Sequence, residues 1–147
     1  MQYMLDTNIC SFLMRGAPEQ VLLRFDDALQ GDCAVVISAV TYQELVYGAT
    51  HPKAPRKVLG ELEKFLLCVD DIVSLDAAAV ACGARVLQAL HKKGEPISIN
   101  DSLIAGHAMT TGSVLVTNNM REFSRVEGLD AEDWTQPQAP SPENVAR

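Results

Sequence analysis

Tyr3-Met4-Leu5-Asp6-Thr7-Asn8-Ile9 is the stretch from which the fold can be read. The apolar run ends in a carboxylate and passes at once into helix-forming sequence. Residues 2–5 therefore read as a strand, and Thr7 to Met14 as a short helix stopped by Gly16. In an open α/β sheet, ligands bind beyond the carboxyl ends of the strands. Asp6 stands at such an end. Taken alone, it reads equally well as a ligand or as a cap for the helix behind it, because an aspartate there accepts free backbone N–H groups.

The rest of the chain repeats this alternation. Pro18 opens a helix to Leu29, with Val21, Leu22, Phe25 and Leu29 on one face. Ala34-Val35-Val36-Ile37 is a β-branched run ended by Ser38, as in a buried strand. A helix follows over 39–49, broken by His51-Pro52. Another runs over 55–67 with Val58, Leu62, Phe65 and Leu66 inward. Ile72-Val73-Ser74-Leu75 reads as a short strand. Asp76 caps the longest helix, which ends near Lys93-Gly94 and has Val80, Ala84, Leu87 and Leu90 as its apolar face. Pro96 and Ser98 precede a helix through Met109. Val114-Leu115-Val116-Thr117 is the clearest core strand, and Arg121 to Val126 a short helical turn. Strands alternating with helices predict a mostly parallel sheet covered on both faces, a three-layer α/β/α sandwich. Residues 1–134 form the expected domain. Residues 135–147, rich in proline and polar side chains, are expected to be a flexible tail.

The chain has 147 residues, 48% hydrophobic and 21% charged, with a formal net charge of −7. Such a chain can bury one real core, and disorder throughout is excluded. It cannot coat a polyanion by bulk charge. Any action on nucleic acid needs metal ions, local basic patches or a basic partner. Cys10, Cys33, Cys68 and Cys82 lack metal or redox spacing and read as small buried hydrophobes in a reducing compartment. His51, His91 and His107 form no zinc motif, and His107 reads as a core or surface histidine rather than a ligand. No stretch is long and apolar enough to span a membrane, so a soluble, cytoplasmic protein is expected.

The remaining acids fall at element junctions. Glu44 closes Thr41-Tyr42-Gln43-Glu44, a capping-box pattern, yet Leu45, Val46 and Tyr47 follow it. A carboxylate among such neighbours is costly unless paired or bound to a cation. Asp101 follows Ser98-Ile99-Asn100 at a helix start, where an acid also complements the helix dipole. Asn119 and Glu122 follow the last strand and suit a turn and a solvated helix start. Crowded carboxylates repel one another. If these acids cluster, they imply a hard cation such as Mg²⁺ or Mn²⁺, which takes oxygen ligands.

Four ordered segments carry a family resemblance. They are Met4-Leu5-Asp6-Thr7-Asn8, the run from Ser38 through Glu44 to Gly48, Asn100-Asp101-Ser102-Leu103-Ile104-Ala105, and Val116-Thr117-Asn118-Asn119-Met120-Arg121-Glu122-Phe123. Over about residues 1–134 the chain resembles PIN-domain ribonucleases, and more narrowly VapC toxins of toxin–antitoxin pairs. The resemblance implies a catalytic set of Asp6, Glu44, Asp101, Asn119 and Glu122. Asp6, Asp101 and Glu44 would be the metal ligands, with Thr7, Asn8 and Thr117 in support. Many PIN domains have an aspartate where this chain has Asn119, and Glu122 is close enough to supply that carboxylate. The implied reaction is Mg²⁺-dependent hydrolysis of RNA phosphodiesters, Mn²⁺ substituting, with tRNA the expected substrate and 5′-phosphate and 3′-hydroxyl ends. Arg121 and Arg125 are candidate substrate contacts, and Lys53, Arg56 and Lys57 form a second basic group. A VapB-type antitoxin and a homodimer are the partners implied.

Two other readings compete. A phospho-receiver or phosphatase-like domain also places an aspartate after its first strand. However, position 8 is Asn rather than Asp, and Thr117 is followed by Asn118 rather than Lys. A catalytically inactive PIN-like binding module would be expected to lack some of the main acids, which this chain retains.

Overall fold

A computed structural model describes residues 1–137, and residues 138–147 of the tail expected over 135–147 lie outside the described residues. Seven helices and five strands alternate among them. They run β1 (Gln2–Leu5), α1 (Thr7–Arg15), α2 (Glu19–Gln30), β2 (Ala34–Ser38), α3 (Ala39–Ala49) and α4 (Arg56–Leu66). There follow β3 (Asp71–Val73), α5 (Ala77–Lys92), α6 (Ile99–Thr110), β4 (Ser113–Val116), α7 (Met120–Phe123) and β5 (Ala131–Glu132). The sheet order is β3-β2-β1-β4-β5, and every pairing is parallel.

This order fixes where a ligand can bind. The chain moves outward from β1 through β2 to β3, then returns to the other side of β1 for β4 and β5. The reversal lies between β1 and β4, so the crevice opens at their carboxyl ends. Leu5 is in register with both Ile37 and Val116, and Val116 with Glu132. The next positions along these four strands are Ser38, Asp6, Thr117 and Asp133. The edge of the sheet thus presents two carboxylates and two hydroxyls in one row.

Side-chain alternation builds two cores, one on each face. Leu5, Val35, Ile37 and Val116 pack with Ile9, Val21, Phe25, Leu62 and Phe65 of α1, α2 and α4. Met4, Val36 and Leu115 pack with Val86, Leu90, Ile104, Ala105 and Ala108 of α5 and α6. The expected three-layer sandwich is the observed one. Gly16 ends α1 at φ 75°, a left-handed conformation that glycine adopts without steric cost.

Some details differ from expectation. The third strand stops at Val73, and Ser74-Leu75 lies outside it. Val80 is exposed, as is Ala84, so the apolar face of α5 is rotated from the expected one. The buried positions are Ala79, Cys82, Gly83, Val86 and Leu90. The cause is a close helix crossing. A Cβ added at Gly106 of α6 would lie 2.4 Å from Gly83 N and 2.8 Å from Ala79 O. The smallest residues, not the bulkiest, therefore define the contact. Cys10 and Cys82 are buried as expected, but Cys33 is half-buried and Cys68 exposed at the end of α4. The last strand, β5, had no sequence signal of its own, being two residues long. It is held by Arg24, which pairs with Glu132 at 3.2 Å and lies over the Trp134 ring.

Gly106→Ala should force α5 and α6 apart and destabilise the protein by about 1–3 kcal/mol, the typical range of an overpacked core site. Chemical denaturation of the two proteins measures this. Gly60→Ala, at a helical glycine with open space around it, should instead be neutral or stabilising.

Candidate active site

The elements bring the separated acids to one cleft of about 130 Å³, lined by Asp6, Thr7, Asn8, Glu44, Asp101, Asn119 and Phe123. Asp6 is only 6% exposed. Its Oδ1 accepts a hydrogen bond from Ile9 N at 3.0 Å, so it caps α1. The same side chain lines the cleft, and cap and cleft roles coexist. Thr117 also hydrogen-bonds it.

Glu44 does not close a capping box. Ser38 caps α3, accepting from Val40 N at 3.1 Å, and Thr41 lies inside the helix. Glu44 is consequently well inside α3, and its side chain reaches across to α1. There Thr7 Oγ1 donates to Glu44 Oε1 at 2.7 Å. Asp101 sits in the first turn of α6, its backbone N–H donated to Ser98 Oγ at 3.1 Å. Asn119 precedes α7. Its N–H donates to Thr117 Oγ1 at 2.9 Å, and its Nδ2 donates to Glu122 Oε2 at 2.6 Å. Glu122 is held against Asp101 and is not among the residues that line the cleft. Asn8 Nδ2 reaches Asn118 Oδ1 at 3.4 Å, joining the start of α1 to the turn after β4.

Arg121 is exposed, Arg125 half-buried, and neither lines this cleft. Lys53, Arg56 and Lys57 are all exposed between α3 and the first turn of α4. His107 is a core histidine, 1% exposed, with Nδ1 at 2.8 Å from Ser38 Oγ. Burial lowers its pKa, opposed by the Asp76 carboxylate and a hydrogen bond to the Ser74 backbone. It ties α6 to the start of α3 and so fixes two acid-bearing helices relative to each other.

Burial raises the Asp6 pKa to about 6, and Glu44 and Asp133 add to the rise while Thr117 and Ile9 oppose it. Asp101 is raised to about 6 by burial, by the charge of Glu122 and by a hydrogen bond to it, with Glu44 adding a smaller push. Asp133 escaped the sequence reading because β5, which positions it, was not foreseen. Its Oδ1 accepts from Thr135 N and Thr135 Oγ1 at 2.9 and 2.6 Å.

The donor set suits a hard divalent cation. Two half-protonatable carboxylates kept apart from water gain by meeting a positive charge. Among the described residues, no three His, Cys, Asp or Glu side chains converge closely enough to enclose an ion by themselves. Mg²⁺ needs no such cage, because it takes one or two carboxylates and keeps several waters.

The chain matches the family described as PIN domain over residues 3–129, and it belongs to that family. It is 42% identical over 135 residues to the tRNA(fMet)-specific endonuclease VapC of Shigella flexneri, covering 92% of this chain and 99% of that one. It is 38% identical to the protein of the same name in Salmonella typhimurium, covering 91% and 98%. The fold superposes with a TM-score of 0.84 on VapBC2 from Rickettsia felis, solved bound to a DNA fragment from its promoter. That match has 31% identity and covers 91% of this chain and 99% of that one. DNA-bound VapBC from Salmonella typhimurium gives 0.81 at 37% identity, covering 91% and 98%.

Asp6 binds more protons folded than unfolded between its ordinary value near 3.8 and about 6. Stability therefore falls as pH rises through that window, and the charge opposes folding above it. Asp6→Asn keeps the cap and removes the charge. Without divalent ions it should raise stability at pH 7.5 by about 2–3 kcal/mol, and by little at pH 4. Thermal melts at the two pH values check this. A variant no more stable than wild type at pH 7.5 would contradict the buried charge.

Proposed function

We infer that this chain is a divalent-metal-dependent endoribonuclease, the toxin of a toxin–antitoxin pair. The observation that carries this reading is the convergence of Asp6, Glu44 and Asp101 at the β1/β4 crevice, in a chain 42% identical throughout to a tRNA-cleaving VapC. The reading makes tRNA the substrate class, with a VapB-type antitoxin and a second copy of the chain as partners. VapBC complexes among the solved relatives support the antitoxin. Among the described residues no helix is long and apolar enough to cross a membrane.

Asp6 and Asp101 hold the cation, which is Mg²⁺ in this reading with Mn²⁺ able to substitute. When bound, the ion supplies Lewis acidity toward the scissile phosphate and relieves the repulsion among the acids. Glu44, oriented by Thr7, keeps Oε2 for the ion or for the attacking water. Asn119 fixes Glu122 through its amide, and Glu122 in turn presses on Asp101. Thr117 orients both Asp6 and the Asn119 backbone. Arg121 and Arg125, flanking Glu122, meet the RNA outside the cleft. The net charge of −7 suits an antitoxin segment carrying positive charge.

Asp6→Asn and Asp101→Asn should each lower Mg²⁺-dependent cleavage of tRNA at least about a hundredfold with the fold retained. Gel assays on purified protein, with circular dichroism as control, measure both. Full activity in either variant would remove the site. Because ligands must shed protons, the Mg²⁺ concentration for half-maximal cleavage should rise as pH falls below about 6. Glu122→Gln should shift that concentration at fixed pH, and superimposable Mg²⁺ curves would detach Glu122 from the metal site.

A further inference from the structure

Beside the acid cleft lies a wider one of about 410 Å³, lined by Thr7, Gln43, Glu44, Tyr47 and Asn100. Thr7 and Glu44 belong to both, so the two form one continuous surface. Tyr47 is 73% exposed. A tyrosine this open contributes little to the core, and among the described residues the face of α3 that carries it is open. His51 stands edge-on to it, with ring centroids 6.4 Å apart and planes at 73°. That leaves aromatic surface available for stacking. Gln43 and Asn100 place two exposed amides on the opposite borders of the same cleft. Beyond His51 come the exposed cations Lys53, Arg56 and Lys57.

We propose that this cleft is a nucleobase subsite, in which Tyr47 stacks on an unpaired base next to the scissile phosphate and the Gln43 and Asn100 amides contact its edge. This rests on the nuclease reading and names how its substrate is held. The geometry favours a nucleotide. Glu44 and Tyr47 are three residues apart on α3, a rise of about 4.5 Å that puts both on one side of the helix beside the same cleft. Every base offers a π-face, so an aromatic platform adds affinity for single-stranded RNA beyond what charge supplies. That resolves a difficulty posed by an acidic chain, which cannot attract RNA by bulk charge. The amides supply donors and acceptors for a base edge, as sequence-selective RNA sites do. Lys53, Arg56 and Lys57 would meet the phosphates further along.

The test uses the full chain in EDTA, where no cleavage occurs. Short single-stranded RNAs carry one 2-aminopurine, moved through each position in turn, and fluorescence quenching reports stacking. Wild type should quench strongly at one position. Tyr47→Ala should lose that quenching and bind about tenfold more weakly, the loss of one stacked base. Tyr47→Phe should retain both, and Gln43→Ala should change base preference at the quenched position. Unchanged binding and quenching in Tyr47→Ala would overturn the subsite, as would wild type that binds none of these RNAs. Conversion of a dimer to a monomer by Tyr47→Ala, seen by analytical ultracentrifugation, would also overturn it by assigning the face to a second copy. Wild-type cleavage in Mg²⁺ separates the two readings. Cleavage with no Tyr47 dependence of binding leaves the nuclease standing and removes the subsite. Tyr47-dependent stacking without cleavage keeps the subsite and removes the nuclease.

Discussion

A carboxylate held out of water at the end of the central strand sets the terms for the rest of this structure. Asp6 is nine-tenths buried, yet nothing positively charged pairs with it among the described residues. Its cost is met in small portions by the Ile9 N–H and the Thr117 hydroxyl. Burial outweighs those donors and leaves the acid biased toward protonation. A site that binds a cation benefits from this arrangement, because the folded chain already carries the unfavourable charge that the ion relieves. Had Asp6 been paired with an arginine, the fold would be more stable and the cleft inert.

The same logic explains why the α5–α6 contact on the second face is built from small residues. Asp101 can approach Asp6 only if α6 sits close to the sheet and keeps its orientation. The crossing at Gly83 and Gly106 lets α5 press α6 inward, and the His107–Ser38 hydrogen bond fixes α6 against the start of α3. Glu44 then follows from helix geometry, a turn and a half beyond the Ser38 cap. Three acids far apart in sequence therefore share one cleft because α1 and α3 start at the ends of neighbouring strands and α6 is tied to the start of α3. Packing precision at the glycines is thus a condition for the chemistry.

Much of this was legible beforehand, for identifiable reasons. β-branched runs such as 34–37 and 114–117 marked strands, and Asp6, Ser98 and Gly16 marked helix ends. The acids were recognisable because they fell at those junctions in a family-like order. What failed was non-local. The face of α5 was assigned by bulk, placing Val80 and Ala84 inside, whereas a close helix crossing selects Ala79 and Gly83. Thr41 to Glu44 looked like a capping box because a four-residue pattern cannot reveal that the helix starts earlier, at Ser38. β5 has two residues and no periodicity, so Asp133 went unseen together with it. The subsite beside Glu44 was invisible for a similar reason, since it joins α1, α3 and the start of α6.

The replacement of an aspartate by Asn119 gains a physical explanation from these contacts. A fourth carboxylate there would add its repulsion to that among Asp6, Asp101 and Glu122. Both Asp6 and Asp101 already stand at about 6. An amide at position 119 adds no charge and donates to Glu122 instead, turning a repulsive neighbour into a fixed one. Glu122 can then remain close to Asp101 without swinging into the cleft. The carboxylate of this turn lies three residues further along at Glu122, where it acts on Asp101 instead of entering beside Asp6.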